Sequence, residues 1–209
     1  MPPRALRILK EAKAVYCEDT RRTRKLFTHF GIGTPLLRYQ DRDPRGVEKI
    51  MERLRLGEDI ALTSDAGTPV ISDPGRDLVS QARAEGLDVC PLPGPCAIST
   101  AVSASGLPGD SFVFLGFLPR TPGKLRKALS AAAALEKTIV VYEAPYRILK
   151  LLRLAEEVLG PLAQTSVCRE LSKLHEEWRT GPLRDVRTTL ENGAEPRGEY
   201  VALFHPKPA

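Results

Sequence analysis

Aromatic side chains are scarce in this chain of 209 residues: six phenylalanines, five tyrosines and one tryptophan make up 6% of it. That scarcity argues against an extended platform on which successive bases of a single strand could stack. There are three histidines (His29, His175, His205) and four cysteines (Cys17, Cys90, Cys96, Cys168), scattered with no C-x-x-C pair. A structural zinc site needs closely spaced ligand pairs, so no metal site is expected, and disulfides are not expected in an unsecreted chain. No run approaches the roughly 20 apolar residues of a membrane span. The N-terminal MPPRALRILKEAK has no apolar core, so it does not read as a signal peptide, and a cytoplasmic protein is expected. Neither G-x-x-x-x-G-K-[ST] nor G-x-G-x-x-G occurs, so ATP hydrolysis on a P-loop and ordinary Rossmann dinucleotide binding both lose support.

What is present is close to a globular average, 42% hydrophobic and 27% charged, enough for a packed core. Lys and Arg outnumber Asp and Glu by 31 to 26, a net charge of +5 that leans toward a polyanionic partner. Short β-branched runs alternate with helical stretches. Residues 14–17, 35–39, 60–63, 87–92, 111–115, 138–142, 165–168 and 199–204 read as strands. Residues 3–12, 21–30, 46–56, 77–85, 97–104, 124–135, 147–159 and 183–191 read as helices. This alternation implies βαβ units and a largely parallel sheet. The Pro/Gly cluster PLPGPC (91–96) reads as a connector, because proline restricts its neighbour and removes amide donors. The expected organisation is an N-terminal α/β lobe over 1–93, a hinge at 94–96 and a C-terminal α/β lobe over 97–209. A cleft between the two lobes is the default ligand site.

In open α/β sheets, ligands bind beyond the carboxyl ends of the strands. Four strand ends here deliver a carboxylate: Glu18-Asp19, Ser64-Asp65, Tyr142-Glu143 and Arg169-Glu170. The segment SDAGTPVISDPG (64–75) is the most specific signal. Gly67 and Gly75 permit close backbone approach, while Pro69 and Pro74 stiffen the loop, so its peptide groups can read a small polar ligand. Arg21, Arg22, Arg24 and Lys25 form a basic knot at a helix start, where cations oppose the helix dipole; a phosphate contact supplies the missing reason for them. Arg120, with Lys124, Arg126 and Lys127, reads as a basic lip of the second lobe. Trp178 reads as a packing residue of a strand or hairpin.

With those motifs in place, the chain resembles the ribosomal RNA small-subunit methyltransferase I family of the tetrapyrrole-methylase-like superfamily. The matching segments are EDTRRTRKL (18–26), TSDAGTPVISDPG (63–75), PLPGPCA (91–97), GFLPR (116–120), VVYEAPYRI (140–148), RELSKLHEE (169–177) and GEYVALF (198–204). The resemblance implies two α/β lobes with S-adenosylmethionine folded into the cleft between them. It implies 2′-O-methylation of a cytidine in small-subunit ribosomal RNA, within an assembled subunit, by a homodimer. Carried over, the cofactor would meet Asp65, Ala66, Gly67, Thr68, Cys96, Ala97, Tyr142, Glu143 and Ala144. The RNA would meet Arg21, Arg22 and Arg120. Glu170, as proton acceptor or orienter, and Lys173, as stabilising cation, would stand near the reacting hydroxyl.

Two departures accompany the resemblance. Relatives begin with a strand and a TPIGN-like loop ahead of the helix that reads here as PPRALRILKEA, so the first strand is expected to be missing. Relatives also tend to carry His after the Tyr of Tyr39-Gln40-Asp41, which leaves this loop without an assigned role. An alternative reading follows from the first departure: a catalytically impaired RNA- or ribosome-binding protein of the same fold. A methylase of small tetrapyrroles is a third reading, disfavoured by the basic knot.

Overall fold

The computed structural model describes residues 1–41, 43–193 and 195–206. The chain divides into two compact units, Met1–Cys96 and a second beginning at Ala97. Eight helices and eight strands are assigned among the described residues.

The first unit contains α1 (Pro3–Glu11), β1 (Ala14–Cys17), α2 (Thr20–Phe30), β2 (Leu36–Arg38), α3 (Pro44–Arg55), β3 (Ile60–Leu62) and α4 (Arg76–Ala84). Its sheet is parallel, in the order β2-β1-β3. The central strand β1 is buried at every position, as a strand covered on both faces must be. Val15 packs with Leu9, Phe27 and Ile32 from the α1/α2 side, while Ala14 and Tyr16 pack with Val47, Ile50, Met51 and Leu78 from the α3/α4 side. Burying each of the larger apolar side chains in this set contributes about 1.5–3 kcal/mol.

Residues 87–92 correct the sequence reading. They carry strand-like alternation, and Leu87 and Val89 do pack against the α3/α4 side of the core. They form no ladder, however, among the described residues. Without a paired strand the segment is not part of the sheet, and β3 is left as its edge.

The second unit contains α5 (Ala97–Ala104), β4 (Phe112–Phe117), α6 (Pro122–Ala133), β5 (Thr138–Glu143), α7 (Pro145–Leu159), β6 (Gln164–Arg169), β7 (Glu177–Pro182), α8 (Leu183–Glu191) and β8 (Tyr200–His205). Its sheet runs β4-β5-β8-β6-β7. Only β4 and β5 are parallel; every other pairing is antiparallel, which corrects the expectation of a largely parallel sheet. The cause is local: β6 and β7 are joined by a short hairpin, and β8 inserts between β5 and β6 after α8. One face of this sheet, with Ile139, Val141, Val167, Ala202 and Phe204, packs on α6, α7 and α8 around Leu125, Leu129, Leu151 and Leu152. Trp178 lies on β7, opposite Cys168.

Candidate functional site

In the first unit the ends of β1 and β3 deliver their loops side by side, and one carboxylate joins them. Asp65 Oδ1 accepts from the backbone N–H of Asp19 at 3.1 Å, and its Oδ2 lies 3.7 Å from Arg22 Nη1. Asp19 in turn is the N-cap of α2, accepting from Arg21 N at 2.9 Å. The Arg21 guanidinium closes on the same carboxylate through Nε (3.1 Å) and Nη2 (2.8 Å). That side-chain pairing, with the Arg21 amide, holds the Asp19 carboxyl far below the usual carboxylate range. The structure therefore brings Arg21, Arg22 and Asp65 together. Both arginines remain largely in water, with side chains 88% and 67% exposed.

The loop that follows is tied at several points. Ser64 Oγ donates toward the carbonyls of Ala66 and Gly67, and Thr68 Oγ1 donates to the Pro95 carbonyl at 3.1 Å. Thr68 thus lies against the residue that precedes Cys96. Ala66 and Gly67 are exposed. Further along, Val70 (φ 74°) and Ser72 (φ 63°) sit in the left-handed region without being glycine. Such residues cost about 1–3 kcal/mol each and persist only where surrounding contacts over-determine them.

The contact that holds the far end was not assigned from sequence. Asp41 Oδ1 accepts from the Tyr39 hydroxyl at 2.6 Å and from Gly75 N at 2.8 Å. Burial and the adjacent Asp41 push the Tyr39 phenol well above its ordinary value, so it stays a donor. Gly75 has φ 131°, and a Cβ there would stand 2.6 Å from Leu62 Cδ2, so both backbone and space demand glycine. The sequence signal was a carboxylate two residues beyond a tyrosine at a strand end, read only as a departure from relatives.

In the second unit, Tyr142 and Glu143 end β5. Tyr142 is half-buried, edge-on to Phe114 (ring centroids 4.9 Å) and tilted against Phe117 (5.7 Å). Successive strand side chains point to opposite faces, so Glu143 turns away from Tyr142 toward the helical layer, where it is 2% exposed. Its Oε1 accepts from Ala144 N at 2.9 Å. Its Oε2 lies 3.2 Å from Arg147 Nη2, close enough for an ion pair but too poorly aligned for a hydrogen bond. Burial pushes the Glu143 carboxyl upward, against the pull of the Ala144 amide and Arg147. Arg147 Nη2 also donates to the Leu118 carbonyl at 2.8 Å, fixing the start of α7 to the loop that carries Arg120. Arg120 is exposed.

Glu170 and Lys173 form a compact network with Glu199. Lys173 Nζ donates to Glu170 Oε1 and Glu199 Oε2, both at 2.9 Å, and Glu199 N donates to the same Glu170 oxygen at 2.9 Å. Glu170 adopts φ 50°, and its side chain lies over Gly198, where a Cβ would come within 2.7 Å of Glu170 Cγ. Lys173, first, and the Glu199 amide hold the Glu170 carboxyl below its usual range. Partial burial pulls the Lys173 ammonium down, but Glu199 and Glu170 outweigh it and raise it. Of the two roles left open from sequence, this electrostatics suits an ionised orienter more than a proton acceptor. No helix among the described residues is long and apolar enough to cross a membrane.

The model of the family "Tetrapyrrole (Corrin/Porphyrin) Methylases" matches residues 1–187. The Ribosomal RNA small subunit methyltransferase I of Pseudomonas aeruginosa is 45% identical over 205 residues, covering 96% of this chain and 72% of that protein. The chain belongs to this family. The protein of the same name from Thermotoga maritima is 39% identical over 206 residues, covering 98% of this chain and 91% of the relative. Among solved structures, diphthine synthase superposes with a TM-score of 0.75 at 13% identity (98% of this chain, 84% of that one). A cobalt precorrin-4 methyltransferase superposes at 0.70 and 16% identity (100% and 90%). At such identities the superpositions show the methylase fold alone, and the names at 39–45% identity are the informative ones.

Two outcomes follow from this geometry. Asp41→Ala removes the acceptor for two hydrogen bonds and is expected to lower stability by about 2 kcal/mol, with faster proteolysis at residues 70–72. Asp41→Asn, which keeps a side-chain oxygen, is expected to restore most of it; thermal melts and limited proteolysis check this. Because the folded Glu170 carboxyl titrates below its unfolded value of about 4.3, its stabilisation is present above that pH and lost as pH falls through the folded value. The Tm difference between wild type and Glu170→Gln should therefore shrink on acidification below about pH 4.

Proposed function

We propose that this chain is an S-adenosylmethionine-dependent methyltransferase that modifies the 2′-hydroxyl of a cytidine in small-subunit ribosomal RNA. The observation that carries the proposal is the Asp65 bridge. It joins the ligand-reading loop to the arginine-bearing start of α2, in a chain 45% identical to a ribosomal RNA small subunit methyltransferase I. The assembled subunit as substrate and the homodimer are supported by the resemblance alone, and the cytoplasmic location by the N-terminal sequence, which does not read as a signal peptide.

The residues suit the cofactor's chemistry. A sulfonium-bearing amino acid joined to a nucleoside asks for carboxylates, peptide groups and an aromatic or apolar wall. In the first unit, Asp65, Ala66, Gly67, Thr68 and Cys96 offer a half-buried carboxylate and exposed residues on a stiffened loop. In the second, Ala97 opens α5, and Tyr142 and Ala144 offer a ring and a strand end, while Glu143 braces the turn from the opposite face. When bound, S-adenosylmethionine supplies an electrophilic methyl group.

The chain's own contribution is positioning and charge. Arg21 and Arg22 serve phosphates: both guanidinium groups are largely exposed although their partners Asp19 and Asp65 are half-buried, so they can add a phosphate oxygen from the solvent side. Arg120 contributes the same contact from the second unit. A sugar hydroxyl develops negative charge as it attacks, and a cation held near that oxygen lowers the barrier. Lys173 supplies the cation, and Glu170 with Glu199 fixes its ammonium in place. Holding the 2′-oxygen in line accounts for much of the remaining acceleration.

Isothermal calorimetry with S-adenosylmethionine tests the reading. Saturable heat is expected from the wild type and its loss from Asp65→Ala; no heat from the wild type up to millimolar cofactor favours the RNA-binding protein without turnover. Lys173→Ala is expected to bind cofactor normally and lose about 10²–10³ in kcat. For the RNA side, Arg21→Ala/Arg22→Ala should weaken binding across sequences and flatten the plot of log Kd against log salt by about two phosphate contacts. An unchanged slope removes both arginines from the interface.

A further inference from the structure

Tyr146 has no task in the fold. It is 78% exposed, whereas Tyr16, Tyr39 and Tyr200 are buried and Tyr142 is half-buried among other rings. No hydrogen bond or ring contact engages it among the described residues. A single exposed aromatic residue is ordinary and says nothing alone. Its surroundings are what distinguish it.

The first is rigidity. Tyr146 occupies the first turn of α7, directly after β5. Its neighbour Arg147 reaches the Leu118 carbonyl at 2.8 Å and approaches Glu143 Oε2 at 3.2 Å, so the turn beneath the ring is fixed to the loop after β4. Because β4 and β5 are adjacent parallel strands, with Phe117 opposite Tyr142, their C-terminal loops emerge side by side about 5 Å apart. That places Tyr146 beside the loop of Arg120.

The second is charge. Lys150 lies one helical turn beyond Tyr146 on the same exposed face. Among the described residues no carboxylate pairs with Arg120, Lys124 or Lys150, whereas Arg126, Arg153, Arg184 and Arg187 on the helical surface are all held by glutamates. Neither α6 nor α7 has an acidic residue in its first turn, and the nearest carboxylate, Glu143, is buried and committed to the Ala144 amide and Arg147, so it does not offset Arg120, Lys124 and Lys150. A flat ring flanked by unpaired cations matches one nucleotide at a time: the base for the ring, the adjoining phosphates for the cations.

We propose that Tyr146 stacks on one unpaired base of the RNA substrate while Arg120 and Lys150 hold the flanking phosphates, making it a residue that reads single-stranded character at the target. This rests on the RNA-methylating reading above and adds the local form of RNA that the site takes. One ring captures one base, in keeping with a chain too poor in aromatic residues for a longer platform.

The test is the affinity of the full chain for two RNAs of equal length, one single-stranded and one fully paired, in wild type, Tyr146→Ala, Tyr146→Phe and Lys150→Ala. Stacking predicts about a tenfold loss for Tyr146→Ala on the single strand, near-wild-type binding for Tyr146→Phe, and little change on the duplex. Lys150→Ala should weaken both RNAs and reduce the salt slope by about one. Equal affinities of Tyr146→Ala and wild type for the single strand overturn the proposal. So does an altered oligomeric state of Tyr146→Ala with RNA binding intact, which would assign the ring to a protein contact. Cofactor binding by calorimetry in each variant separates the two claims. If wild type binds RNA but no cofactor, the methylation reading fails and the stacking result still stands.

Discussion

The Asp65 carboxylate is the constraint on which the arrangement of the first unit's loops depends. One oxygen takes the backbone N–H of Asp19, and the other faces Arg22. A loop following β3 is thereby fastened to the helix start following β1, although the two are nearly fifty positions apart in sequence. A lone strand-end carboxylate would leave two independent loops. Joined, they present peptide groups and guanidinium forks as one surface. The strain at Val70 and Ser72 is tolerable because both ends of the loop are held, one by Asp65 and Thr68 and the other by Asp41 through Gly75.

The second unit solves a different problem, the placement of charge in water. An isolated lysine on a hairpin would sample many rotamers and be strongly hydrated. Here two glutamates and one backbone amide fix Lys173 and Glu170 together, with Glu170 in a left-handed conformation over Gly198. The arrangement keeps both groups ionised and directs the ammonium. In the proposed reaction such a pair suits stabilisation of developing negative charge, with proton abstraction by Glu170 disfavoured by its lowered affinity for the proton.

Strand ends and turn chemistry were largely legible in the sequence, because buried parallel strands read as short apolar runs and their rims as polar ones. The loop 64–75, the basic knot at Arg21–Lys25 and the strand-end carboxylate Glu170 were visible on those grounds, whereas its pairing with Lys173 came only from the family resemblance. Three features were not. Residues 87–92 have a strand's alternation but form no ladder among the described residues, and pairing is a tertiary property that periodicity does not report. The mixed sheet depends on β8 returning between β5 and β6, a choice of neighbours that local pattern leaves open. Finally, Tyr142 and Glu143 are adjacent in a polar strand end and so read as one ligand surface. The period of two in a strand sends them to opposite faces, and Glu143 ends as a brace beneath α7.

The family membership points to methylation of ribosomal RNA, and one measurement tests the proposed transfer to a ribose oxygen directly. Small-subunit ribosomal RNA, free and within subunits, would be incubated with the protein and S-adenosylmethionine labelled in its methyl group, then digested to nucleosides. The account predicts label recovered as 2′-O-methylcytidine. Label on a base, on another nucleoside, or absent from RNA while the protein binds both partners would contradict it.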